Sequence, residues 1–221
     1  MTNVNRKKRT PASTDMMRKL LYGQASLDEW ARHGADNAAE PWQSFERARL
    51  LIHAGETEKA VTIWSEIALA KGSSARQALQ ALHFIRGAGY PPNPEAGKMV
   101  LGAVAELPMH GAHDLLAAYR DGTAHYVNYT GRTAVREDAS EPRMHAAVSH
   151  WLAVAQTMAD SIGPWHEASL PPLPTAHARI AALTTSGPHF GQGPTEALSD
   201  NPIASAFLGA ATSVMLLVVD T

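Results

Sequence analysis

Residues 183–194, LTTSGPHFGQGP, set His189 and Gln192 three apart in a glycine-bounded segment, with Thr185 and Ser186 just upstream. A histidine base oriented by a side-chain amide is one chemistry this pattern supports. Tyr126 and Asn128, in the hairpin-like stretch YRDGTAHYVNYTGRTAVRE at 119–137, are the further polar groups such a site would recruit. The competing reading is a loop histidine whose ring closes a turn. A hydroxyl nucleophile needs its base placed in space, and nearness in sequence does not supply that. Gly187, Gly191 and Gly193 do not make a phosphate cradle, because Pro194-Thr195 follows where a P-loop needs Lys-Ser or Lys-Thr. They fit a backbone role instead, as suppliers of positive φ.

His110, His113 and Asp114 form a second cluster, H-x-x-H-D. On a helix two imidazoles three apart share a metal. This cluster follows Pro108 in a loop, and no further ligands follow at defined spacing, so no metal is expected. His145 and His150, five apart, do not share a helix face and read as surface residues. Asp121 is needed by its turn, and Glu137-Asp138 end a strand in polar sequence, so no carboxylate pair emerges. No cofactor is expected.

Composition narrows the classes. The 221 residues carry 19 Lys and Arg against 21 Asp and Glu, a net charge of −2. That balance argues against a general nucleic-acid binder. The basic run Arg6–Arg9 lacks interleaved aromatics and reads as part of a solvated tail. With no cysteine, disulfides, thiolate metal sites and cysteine nucleophiles are all excluded, which fits a reducing cytoplasm. No secretory leader pattern follows the basic run. Residues 203–219 are apolar and uncharged but only about 17 long, the lower limit for a membrane span. Ile203, Phe207, Val214, Leu217 and Val218 fit a helix packed on a sheet, with a tail anchor as the alternative.

Four stretches must position these residues. Residues 1–14 read as a disordered tail. Residues 15–89 have helical periodicity: Ser26 caps a helix over 27–33 with Glu29 in capping-box position, and further helices follow over 42–54, 57–70 and from Ser73 or Ser74 onward. Residues 90–96, with Pro91, Pro92 and Pro94, read as a stiff linker. From 97 to 221 the apolar period changes to two. Strands are expected over 99–107, 115–119 and 125–129, extended by 133–136, with Asp121-Gly122 as a tight turn tolerating positive φ. A helix over 144–162, strands over 179–184 and near His189-Phe190, and a last helix from Thr195, broken at Asn201-Pro202, complete the chain. Hairpin connections imply a mainly antiparallel sheet with packed helices, an α+β class. Its strand order suggests an analogy to roadblock and profilin folds.

Ala48, Leu51, Gly55, Ala60, Trp64 and Ile67 make residues 41–72 resemble one tetratricopeptide-type helical hairpin, although Arg47 replaces a leucine and Gly72 the closing proline. A single such repeat must pack on neighbouring elements. The segments VLGAVAEL, LLAAYRDGTAHYVNYTGR, IGPW and LTTSGPHFGQGP together resemble a family of uncharacterised bacterial proteins over residues 99–219, and the likeness implies the domain boundary and no activity. Trp42, Trp64, Trp151 and Trp165 mark packing sites, Trp165 as a lid on the sheet. The expectation is a cytoplasmic, non-catalytic protein-interaction or assembly module, its partner another protein or a second copy, with Trp42, Phe45 and Trp64 as contact residues. An enzyme built around His189 and Gln192, and an adaptor tethered by the C-terminal helix, are the alternatives.

Overall fold

A computed structural model of the chain describes residues 14–90, 97–137, 141–167 and 169–219. The expected tail and linker, apart from Thr14 and Tyr90, lie outside the described residues, as do the basic run and Asp138. Five helices come first: α1 (Thr14–Tyr22), α2 (Leu27–Gly34), α3 (Trp42–His53), α4 (Thr57–Leu69) and α5 (Ala75–Gly87). The strands β1 (Val100–Met109), β2 (Ala112–Tyr119), β3 (Ala124–Val127) and β4 (Thr133–Arg136) form a meander. After α6 (Pro142–Ser161) the hairpin β5 (His177–Thr184) and β6 (Gly187–Pro194) adds to the free side of β1. The short α7 (Thr195–Asp200) and the long α8 (Pro202–Val219) end the chain. All pairings are antiparallel, in the order β4-β3-β2-β1-β5-β6, so the chain has the expected α+β architecture.

Turn chemistry sets the registers. Residues 108–111, expected as a loop, instead continue β1 into a two-residue turn in which His110 (φ 48°) and Gly111 (φ 80°) both take positive φ, as a twisted hairpin requires. At Asp121-Gly122 the expectation of shared positive φ is corrected: only Gly122 takes it, at 85°. Asp121 uses its carboxylate instead. One oxygen accepts from the backbone N–H and hydroxyl of Thr123, and the other accepts from the backbone N–H of Ala75 at 2.7 Å. A carboxylate on the first N–H of α5 satisfies an orphan donor and complements the helix dipole. The same α5 is capped by Ser74, and α2 by Ser26 with the expected capping box.

The sheet is covered on both faces. Alternate residues Ala103, Ala105, Leu116, Ala118 and Ile180 pack against α6 and α8, where the ring of Trp151 meets that of Phe207 edge-on at 5.5 Å. α8 is the one described helix long and apolar enough to cross a membrane. Its buried stripe, Ala204, Phe207, Ala210, Ala211, Val214 and Val218, lies in this layer. On the opposite face Leu101, Val104, Leu115, Ala117 and Leu183 pack against Leu21, Tyr22, Ala75 and Leu79, so α1 and α5 share a core with the sheet. A third cluster, around Trp30, Phe45, Ala48, Ala60, Trp64 and Phe84, holds the helices to one another. Ala48 and Ala60 are fully buried, which lets α3 and α4 approach, and Gly55 (φ 79°) makes their turn.

The helix-side face also contains a charge. Glu106 is 0% exposed and Arg179 1%. Arg179 Nη1 donates to Glu106 Oε1 at 3.2 Å, and Arg18 Nε of α1 donates to Oε2 at 2.6 Å. Tyr22 adds its hydroxyl at 3.0 Å, and burial together with this carboxylate pushes the phenol well above its ordinary pKa. Arg179 spends its other donors on Gln192 Oε1 and the Pro171 carbonyl, and lies 5.4 Å from the Phe190 ring centroid. Removing one partner of such a pair strands a buried charge, which costs about 3–5 kcal/mol. Arg179→Met should therefore lower the unfolding free energy by about that amount in urea titrations. Glu106→Gln/Arg179→Met should recover part of the loss. A single variant within about 0.5 kcal/mol of wild type would show that the pair does not organise the fold.

Candidate functional site

The residues of the enzyme reading are separated by the sheet. His189 and Gln192 differ by an odd number along β6 and so lie on opposite faces. Gln192 faces the α1 side and is held by Arg179. His189, fully buried, donates from Nδ1 to the Ile162 carbonyl at 2.7 Å. Its Nε2 comes within 3.4 Å of Ser186 Oγ, a contact not legible in the sequence. The single hydroxyl proton of Ser186 is directed to the Gly97 carbonyl at 2.5 Å, so it does not point at the imidazole. Burial lowers the pKa of His189, with the Ile162 hydrogen bond opposing, which favours the neutral ring.

Tyr126 and Asn128 belong to the other side of the sheet. Three strands separate β3 from β6, roughly 19 Å at the usual interstrand spacing. Tyr126 donates its hydroxyl to Asp114 Oδ2 at 2.5 Å, and burial, then this carboxylate, push its pKa up to about 12. Asn128 folds its own turn: its side-chain oxygen accepts from Thr130 N, Thr130 Oγ1 and Arg132 N. The H-x-x-H-D cluster is dispersed by strand alternation. His113 contacts the His177 carbonyl at 3.0 Å, Asp114 serves Tyr126 and Tyr129 N, and His110 sits in the turn beside the Tyr129 ring. Among the described residues no three His, Cys, Asp or Glu gather as a metal site. Trp165 covers the edge of β6 beside Phe190, its backbone N–H donating to the Pro188 carbonyl.

A wide concavity lies in the helical region. α2 and α3, joined by residues 35–41, open a groove of about 970 Å³, with Phe84 of α5 contributing to its lining. Trp30 and Trp42 stack at 4.8 Å with 29° between planes, and Phe45 meets Trp30 edge-on at 5.4 Å. Gly34 permits this: a Cβ there would lie 2.1 Å from the Trp42 ring. Trp42 is half-buried, and Leu50 at the rim is 56% exposed. Of the three expected contact residues, Trp42 and Phe45 line the groove. Trp64 does not line it: it is buried and packs on Phe84. Trp30 and Leu50 were not singled out from the sequence. The signal for Trp30 was its place on α2 one turn from a glycine that faces Trp42.

Three arginines and two acids stand on the groove walls. Arg49 takes both acids, Glu46 at 2.7 and 2.9 Å and Asp28 at 3.5 Å. The Arg49 hydrogen bonds hold the Glu46 carboxyl below the ordinary range. Lys19 of α1 anchors α2 through Glu29, whose pKa it and the Ser26 cap lower to about 2.

Comparison with protein-family models, curated proteins and solved structures gives no match. The fold and the groove define, from geometry alone, an α+β protein with a helical extension that bears an aromatic cleft.

Two outcomes follow from these placements. Gly34→Ala should push the Trp42 ring off Trp30, abolishing any near-ultraviolet exciton signal of the pair and costing about 1 kcal/mol of stacking; an unchanged spectrum would contradict the packing. Burial, aided by Arg86 and Arg76 respectively, lowers His83 and His125 to about 4. Below the unfolded value near 6.5 the unfolded chain binds protons that these rings refuse. The contribution of these histidines should be level above about pH 7 and fall as pH drops from 6.5 toward 4, by on the order of 3 kcal/mol per histidine at most. Urea midpoints across this range should show a shallower fall for His125→Gln; an identical fall would exclude His125 as a source.

Proposed function

We propose that the protein is a non-catalytic interaction or assembly module that holds a protein partner in the α2–α3 groove. The observation that carries this reading is the half-open ring of Trp42, stacked over the buried Trp30 and Phe45 and beside the exposed Leu50. Clefts between helices take amphipathic helices by burying alternate apolar anchors, and aromatic side chains supply most of that energy. A sheet edge is the less suited surface. Trp165 and Pro172 are hydrogen-bonded to Pro188 and Gln192 of β6, and β4 offers four residues. Short or covered edges resist strand addition. A cytoplasmic setting accords with the absence of cysteine. A tethered adaptor would have to lift α8 from the sheet and expose Trp151 and Val148, a large loss of apolar burial.

A photo-crosslinking residue at Leu50 should yield a discrete protein adduct in native lysate, while one at exposed His150 on α6 should not. Leu50→Glu should weaken capture at least tenfold, about 1.4 kcal/mol. Equal adducts at both positions, or none at Leu50, would refute the groove as the binding site.

A further inference from the structure

We infer that the segment held in this groove is acidic: a short amphipathic stretch with bulky apolar side chains flanked by Asp or Glu. The inference rests on the groove being the interaction site and adds the chemistry of its partner. The chain as a whole carries a net charge of −2, yet the groove is lined by three guanidinium groups against two carboxylates. Both carboxylates, Asp28 and Glu46, are bonded to Arg49. That leaves Arg32 on one wall and Arg47 on the other. Arg32 Nε donates to the Asp28 backbone carbonyl and Arg47 Nη2 to Ser44 Oγ, and among the described residues neither pairs with a carboxylate.

A ligand that fills the apolar floor must desolvate parts of two exposed arginines. An uncharged occupant leaves those charges uncompensated, and a basic one adds repulsion, whereas carboxylates make charge-assisted, often bidentate bonds to them. This sorts the occupants. The basic run Arg6–Arg9 of the same chain has the wrong sign. The outward face of α8 in a second copy is apolar but uncharged, with Leu216 and Val219 at its end. The acidic segment 137–141 has carboxylates without a bulky apolar side chain. A partner segment that carries both features meets floor and walls together.

The test uses three fluorescein-labelled helical peptides with Leu and Phe at the same i, i+3 and i+7 positions and flanks of Glu, Gln or Lys, titrated with the full chain by anisotropy. The Glu peptide should bind at least tenfold tighter than the Gln peptide and the Lys peptide weakest. The Glu advantage should shrink between 50 and 200 mM salt, as screening requires. Arg32→Gln/Arg47→Gln, both on exposed helix surface and checked by circular dichroism, should erase the Glu preference, with the Gln peptide bound no more weakly than by the wild-type chain. Equal binding of Glu and Gln peptides, lost in Leu50→Glu, overturns the acidic partner and leaves the groove reading standing. Binding by none of the peptides overturns the acidic partner, and crosslinking at Leu50 then decides the groove separately. A dimer in sedimentation that Leu50→Glu dissociates also overturns it, by making a second copy the occupant.

Discussion

A carboxylate with no exposure to water sits at the middle of the sheet, and the arrangement of the other elements follows from how Glu106 is held. Burying an ionised group is costly unless each lone pair finds a donor. Here three side chains donate to it, Arg18 and Tyr22 on α1 and Arg179 on β5, and Arg179 is held in turn by two acceptors, Gln192 Oε1 on β6 and the Pro171 carbonyl. The pairing also fixes register. Glu106 stands opposite Arg179 across the β1–β5 ladder, and a one-residue slip would send the carboxylate into the apolar layer under α6 and α8. Apolar residues alone would tolerate several registers; this pair tolerates one.

Because α1 is tied to that carboxylate, the helical region is oriented relative to the sheet. Tyr119 donates its hydroxyl to the Leu21 carbonyl at 2.6 Å, fixing the end of α1 a second time. Gln80 of α5 then brackets Ala25 with two hydrogen bonds, and Asp121 reaches from the β2–β3 turn to the first N–H of α5. Lys19 carries the constraint on to Glu29 and α2. The groove sits one layer further out, set by packing of Trp30, Phe45 and Phe84 and not by polar bonds to the sheet.

Much of this was legible in the chain. The alternation at 99–107 and the turn residues at 121–122 gave the meander, and Ser26 with Glu29 gave the start of α2, because these signals are local. The α+β class followed from the hairpins. The antiparallel α3–α4 pair was visible in Ala48, Gly55 and Ala60, whose small size only makes sense at a close helix crossing. What was hidden is non-local. Glu106 and Arg179 are 73 residues apart, and nothing in either neighbourhood marks it as half of a pair. Pro108 disguised the length of β1, since a proline reads as a break although it sits toward the hairpin end of the strand. Trp64 and Trp42 look alike in sequence, and only the packing of α5 separates the buried ring from the half-open one.

The segment 183–194 shows why a concentration of reactive residue types is weak evidence for a reaction. His189 is buried, and its Nδ1–H is committed to a backbone carbonyl of the segment that follows α6, so it closes the α6 end against β6. Ser186 does the same for residue 97, where the chain enters the sheet. A base serves catalysis only if a substrate atom can reach its lone pair and if its proton inventory changes during the cycle. The first condition is not met by a ring with no exposed surface whose neighbouring hydroxyl bonds elsewhere. Gly187, with φ of 125°, makes the turn between β5 and β6, which is a backbone task. Polar groups that hold elements together must be shielded from water to be worth their desolvation, whereas groups that recognise a partner must remain open to it. By that criterion the burial of His189 fits a structural role, and on the proposed reading the open side chains Trp42, Leu50, Arg32 and Arg47 would serve recognition.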